Sequence, residues 1–119
     1  MNPSPDAATL EKMTARYAPV DLEVDLSSLP ASERQAIAHL VEAARVMDAL
    51  FLRQVWAGNE TLVQRLATDG SPLARARLAY LLLNKGPWSR LDRDAPFIPW
   101  PGVPARKPDE ANFYPAGIT

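Results

Sequence analysis

His39 is the single histidine of the chain, and there is no cysteine. A zinc ion takes three or four ligands from His, Cys, Asp and Glu, and here His39 has only carboxylates for company. Glu42, three residues on, completes half of a di-iron helix motif in reverse, but that site needs a second Glu-x-x-His helix, which the sequence lacks. A histidine beside Val46 and Leu50 reads as structural. No Gly-x-Ser-x-Gly elbow, phosphate loop or dinucleotide fingerprint occurs. Asp92-Arg93-Asp94 and Asp109-Glu110 gather carboxylates without the ordered spacing and glycine of a calcium loop, so they read as solvated loop charges. Arg75 and Arg77 follow the helix boundary at Gly70-Ser71-Pro72 in a way that imitates a helix-turn-helix; the net charge of -1 and the apolar run after them argue against nucleic acid. Pro101-Gly102-Val103-Pro104-Ala105-Arg106 fits a PxxP ligand, a pattern that arises by chance in proline-rich stretches. The expectation is a chain with no catalytic residue, no metal ligand and no cofactor site of its own.

The element that must organise everything else is the stretch from Ala31 to Trp56. At about 100° per residue, Ile37, Leu40, Val41, Ala44, Met47, Phe51 and Val55 fall on one broad helical face. Ala43, Val46 and Leu50 extend that face, which leaves Glu42, Arg45, Arg53 and Gln35 for water. A helix apolar round most of its circumference is expected to be central and covered on several sides. Asp48 falls inside the apolar face and reads as a buried structural charge. A carboxylate there must be hydrogen-bonded, ion-paired or locally exposed. Its expected partner is Arg90 or a backbone N–H after Gly86, with Arg45 as the local alternative.

Ahead of this helix, Ser4-Pro5-Asp6 reads as a helix start capped by Ser4, with Leu10, Met13 and Tyr17 as its stripe and Ala18-Pro19 as its end. Val20, Leu22, Val24 and Leu26 alternate with Asp21, Glu23 and Asp25, the period-two pattern of a half-buried strand. No second alternating segment exists to pair with it, so it lies along the helices or pairs with something outside the chain. Gly58-Asn59 is expected to close the long helix in a left-handed conformation. A short helix over 60–68 and a last helix opened by Ser71-Pro72 follow, the latter with a buried Leu78 and Tyr80-Leu81-Leu82-Leu83 run. Lys85-Gly86 stops it.

From Pro87 onward the chain changes character. Seven of its twelve prolines and five of its nine aromatics lie in these 33 residues. Prolines exclude helix and central strand, whereas disordered segments are poor in aromatics. The expectation is an ordered, irregular wrap anchored by rings, with Trp88, Arg90, Phe97, Trp100, Phe113 and Tyr114 as a candidate interaction or cleft-facing segment. The chain thus divides into a helical domain, 1–86, and a proline- and aromatic-rich segment, 87–119, in an all-α fold of about four helices. No run approaches the roughly 20 apolar residues of a membrane span; cytoplasm and periplasm both remain open, and an exposed apolar surface would allow a homo-oligomer. The long helix, about 40 Å, nearly outspans a compact domain of this length, about 35 Å across. With the unpartnered strand, this suggests a piece of a larger protein.

Three passages carry a resemblance: Arg16-Tyr17-Ala18-Pro19-Val20 with the alternating stretch after it; Val41-Glu42-Ala43-Ala44-Arg45-Val46-Met47-Asp48-Ala49-Leu50-Phe51; and Gly86-Pro87-Trp88-Ser89-Arg90-Leu91-Asp92 with Pro96-Phe97-Ile98 and Ala111-Asn112-Phe113-Tyr114-Pro115. Together they resemble the N-terminal region of bacterial zinc hydrolases related to dipeptidyl peptidase III. The resemblance implies a helical part of one lobe of a larger metallopeptidase, with the tail packing towards the cleft. It also implies zinc held by a HExxGH-type helix and a distal glutamate, none of which exists here, so no catalytic residue is carried over. The implied partners are the rest of the parent chain and, for the whole protein only, a peptide substrate. The rival reading is a free-standing interaction module that docks through its proline-aromatic tail or lone strand.

Overall fold

Asp6, not Ser4, caps the first helix: its side chain accepts from the Thr9 N–H at 2.8 Å. Ser4 is engaged elsewhere, its hydroxyl donating to the Phe97 carbonyl at 3.4 Å and accepting from Arg77 at 3.2 Å. In this computed structural model, which describes residues 4–114, four α-helices follow in order: α1 (Ala7–Thr14), α2 (Ala31–Val55), α3 (Asn59–Asp69) and α4 (Pro72–Asn84). Two strands of two residues, β1 (Trp88–Ser89) and β2 (Ala95–Pro96), pair antiparallel with Trp88 opposite Pro96, and a 3₁₀ turn over Arg90–Asp92 joins them. The fold is all-α with an irregular C-terminal wrap.

The core lies among α1, α3, α4 and the segment after β2. Leu10, Leu62, Leu66, Tyr80, Leu81, Phe97 and Ile98 are buried there together. Ser71 and Pro72 open α4 as the sequence indicates, with Ser71 Oγ accepting from Ala74 N–H at 3.1 Å, and Gly70 ends α3 in the left-handed region at φ 65°. The apolar run in α4 is buried only in part: Tyr80 and Leu81 are enclosed, while Leu82 and Leu83 are 42% and 40% exposed.

The turn from α2 to α3 departs from expectation. Gly58 is not left-handed but right-handed (φ −73°), and Trp56 leaves α2 in an extended conformation. The reason is Asn59, which is wholly buried. Its Nδ2 donates to the Leu52 carbonyl at 2.8 Å and to the Lys85 carbonyl at 3.0 Å. A side-chain amide thereby does for the end of α2 what a left-handed glycine does elsewhere, and joins that end to the end of α4. A Cβ at 58 would meet the Trp56 ring at 2.2–2.5 Å, so any larger residue there would force that ring to move.

The long helix is not covered. Every residue over 38–50 is exposed, including Leu40 (68%), Val46 (60%) and Met47 (63%), and only Val55 is buried. α2 meets α3 at its C-terminal end and projects beyond the core, so the described molecule measures 58 × 37 × 26 Å with a radius of gyration of 17.3 Å; a compact chain of this length has about 13.5 Å. Residues 20–26 likewise form no strand among the described residues. Both departures have one cause: nothing in the described chain covers the apolar side chains over 38–50 or 20–25, and α2 is covered only near its C-terminal end.

Candidate functional site

Among the described residues, a dense polar network forms where the chain after α1 meets the turn after β1. Arg16 makes a two-pronged pair with Asp92, Nη1 to Oδ1 at 2.9 Å and Nη2 to Oδ2 at 2.5 Å, and Nη2 also donates to Tyr80 Oη at 3.0 Å. Ser89, wholly buried, donates to Asp92 Oδ2, which leaves the Tyr80 hydroxyl as donor to Ser89 Oγ at 2.6 Å. The result is a closed ring: Arg16 to Tyr80, Tyr80 to Ser89, Ser89 to Asp92, Asp92 back to Arg16. Asn84 ties in the backbone, its Oδ1 accepting from Tyr17 Oη at 3.1 Å and from the Arg90 N–H at 2.9 Å, and its Nδ2 donating to the Tyr80 carbonyl at 2.8 Å.

The electrostatics follow from this geometry. Arg16, and then the Ser89 hydroxyl, hold the Asp92 carboxyl down at about 2. Asp92 in turn raises the Arg16 guanidinium above its usual range, and burial pushes the Tyr17 phenol up. A carboxylate so acidic is a poor general base, and no imidazole stands near Ser89, so the ring lacks the nucleophile–base couple of hydroxyl catalysis. It acts as a clamp that holds the hairpin of β1 and β2 to the end of α1. Because the Asp92 pKa is depressed, its contribution to stability is present above the unfolded-state value near 3.8 and is lost as pH falls through about 2. The side chain is 37% exposed, so after screening the loss should be about 1 kcal/mol. Urea unfolding between about pH 5 and about pH 2 should show this dependence in the unsubstituted chain and a flatter one in Asp92→Asn.

The segment singled out from the sequence divides into anchors and surface groups. Trp88 and Phe97, expected on an interaction or cleft face, are 2% exposed. Trp88 packs edge-on against Trp56 at 5.1 Å and donates Nε1 to the Pro104 carbonyl at 3.0 Å, and Phe97 stands edge-on to Tyr80 at 4.8 Å. Burial is what such rings gain most from. Trp100, partly exposed, lies beneath the guanidinium of Arg65 at 4.2 Å, with Arg77 at 5.9 Å. Arg90 covers Phe113 at 4.2 Å, and Phe113 meets Phe51 of α2 at 5.4 Å. Tyr114 is 74% exposed.

Asp48 is not buried: its side chain is 69% exposed and pairs with Lys85 Nζ at 2.9 Å, rather than with Arg45 or Arg90. The middle of α2 has no cover, so its apolar face takes Asp48 into solvent with it. A pair this exposed contributes less than about 1 kcal/mol, which replaces the expectation of a costly buried charge. Asp92, read from sequence as a solvated loop charge, is instead the hub of the clamp. The network escaped the sequence reading because its members lie 64 and 76 residues apart; the local hint was the three-residue spacing of Ser89 and Asp92.

The described residues do not fit a zinc site. His39 Nδ1 has Glu42 Oε2 at 3.3 Å and both side chains are about 70% exposed, and among the described residues no group of three or more His, Cys, Asp or Glu is placed to hold a metal. A polar cavity of about 570 Å³ is lined by Arg93, Asp94, Arg106, Lys107, Asp109 and Asn112, among others. Four of its charges are paired, Lys107 with Asp94 at 3.3 Å and Arg106 with Asp109 at 3.7 Å, and Arg93 makes no ion pair among the described residues. No described helix is long and apolar enough to cross a membrane.

No family model matches the chain. Among solved structures, the chain is similar to dipeptidyl-peptidase III from Corallococcus sp. strain EGB at 60% identity and a TM-score of 0.83, over 98% of this chain and 21% of that one. It is also similar to dipeptidyl-peptidase III from Caldithrix abyssi at 36% identity and a TM-score of 0.76, over 92% of this chain and 20% of that one. Nudix hydrolase 3 of Arabidopsis thaliana is 32% identical over 97% of this chain and 18% of its own length. The chain spans about a fifth of the length of each of these proteins.

Proposed function

We propose that this chain, which is related to dipeptidyl-peptidase III, is the non-catalytic N-terminal helical portion of a zinc-dependent metallopeptidase-like hydrolase. The observation that carries the reading is the 60% identity with a TM-score of 0.83 along nearly the whole chain. The similarity to a Nudix hydrolase agrees with hydrolysis but is weaker, at 32% identity, so peptide rather than nucleotide-linked substrates are the reading adopted. The uncovered faces of α2 and of residues 20–26 support it from a second direction, since exposed apolar surface of this extent marks an interaction site. On this reading the partner of the chain is the remainder of a longer polypeptide. Zinc and the groups that polarise the peptide bond belong to that remainder, and the chain contributes a rigid support whose wrap is fixed by the Arg16–Asp92 clamp.

The test is made on the polypeptide that carries this chain. Purified, it should release dipeptides from the N-terminus of short peptides and lose that activity to a chelator. A longer polypeptide that hydrolyses nucleoside diphosphate derivatives and leaves peptides intact would replace the peptidase reading with the Nudix one.

A further inference from the structure

Every residue over 18–25 is exposed, and among the described residues none of them makes a main-chain hydrogen bond to another main chain. Val20, Leu22 and Val24 are 75%, 93% and 77% exposed, and Asp21, Glu23 and Asp25 alternate with them. A single exposed leucine means nothing. Three apolar side chains in strict alternation, on a backbone whose donors and acceptors are also unpaired, form an edge strand without its sheet.

Both ends of the segment are fixed. Before it, Tyr17 donates to Asn84 Oδ1 at 3.1 Å and stands edge-on to Tyr80 at 6.2 Å. After it, Asp25 accepts from the Ser27 N–H at 2.8 Å, Leu29 N–H bonds the Leu26 carbonyl at 3.1 Å, and Arg34 Nη1 bonds the Leu29 carbonyl at 2.7 Å. Tethered ends reduce the ordering entropy that docking must overcome.

Charge selects the occupant. Two copies of this segment paired antiparallel about Glu23 would set Asp21 against Asp25 and Glu23 against Glu23, and like charges directly opposite destabilise a ladder. A second copy of the chain is therefore disfavoured. The related structures are about five times as long as this chain, which leaves ample polypeptide to supply a sheet. We propose that residues 20–26 add as a strand to the edge of a β-sheet formed by the remainder of the same polypeptide. Val20, Leu22 and Val24 face that sheet's core, and neutral or basic side chains lie opposite Asp21, Glu23 and Asp25. The proposal rests on the reading of the chain as part of a longer hydrolase.

Hydrogen exchange read by mass spectrometry and NMR on the longer polypeptide tests it. At an edge only alternate N–H groups face the partner strand, so either the 20, 22, 24 set or the 21, 23, 25 set should exchange about 100-fold more slowly than unprotected amides. In this chain alone all should exchange near the unprotected rate. Unprotected exchange at every one of these amides in the longer polypeptide overturns the proposal, and so does protection in this chain alone that grows with its concentration, which would identify a second copy as the partner. Dipeptide release by the same preparation is scored separately: its absence with alternate protection intact removes the peptidase reading and keeps the strand.

Discussion

Asn59→Ala should lower the unfolding free energy of the chain by about 3 kcal/mol, the sum of two lost bonds and the carbonyls left without a donor. Asn59 is wholly enclosed, and its amide is the tie between the Leu52 carbonyl near the end of α2 and the Lys85 carbonyl just past α4. Removing it cuts the buried tie between two elements that the sequence places far apart and leaves the exposed Asp48–Lys85 pair between them. Asn59→Asp should be at least as damaging, since a carboxylate of the same shape cannot donate and carries a charge into the core. Equilibrium urea unfolding is the measurement: a midpoint shifted with unchanged slope is the expected signature. A loss under about 0.5 kcal/mol, the size of an ordinary surface change, would show that the amide bonds are incidental.

Trp88→Ala should be the other severe change, at about 3–5 kcal/mol for truncating a buried large aromatic. The ring is 2% exposed, contacts Trp56 edge-on and reaches the Pro104 carbonyl through Nε1. Its loss unfastens the wrap at its origin, so proteolysis over 97–113 should accelerate along with the loss of stability. Trp88→Phe keeps most of the apolar contact and removes one hydrogen bond, for about 1 kcal/mol. A Trp88→Ala chain as stable as the parent would mean that the aromatic segment is not anchored through this ring.

These residues also mark where sequence reasoning worked and where it stopped. The span of α2, the Ser71-Pro72 start of α4 and the irregular, ring-anchored tail were all legible, because helical periodicity, cap chemistry and proline are local signals. The cover on α2 was not. Periodicity shows that Leu40, Val46 and Met47 share an apolar face, but not what lies against it, and in the described chain nothing does. Alternation over 20–26 was legible in the same limited way, since a strand exists only with a partner. The Gly58-Asn59 turn was misread because a glycine suggested left-handed backbone while the asparagine side chain supplied the cap. Asp48 and Asp92 exchanged roles, the first solvated and the second clamped, because each depends on a residue distant in sequence, Lys85 and Arg16.

The proposed function places the zinc and the chemistry elsewhere in a longer polypeptide, with this chain as a support. Zinc content by elemental analysis, taken with dipeptide release on the same samples, decides this in two preparations: this chain, and the longer polypeptide that carries it. Stoichiometric zinc and dipeptide release are expected in the longer polypeptide, and neither in this chain after dialysis. Stoichiometric zinc in this chain, or peptide hydrolysis by it alone, would overturn the proposed function.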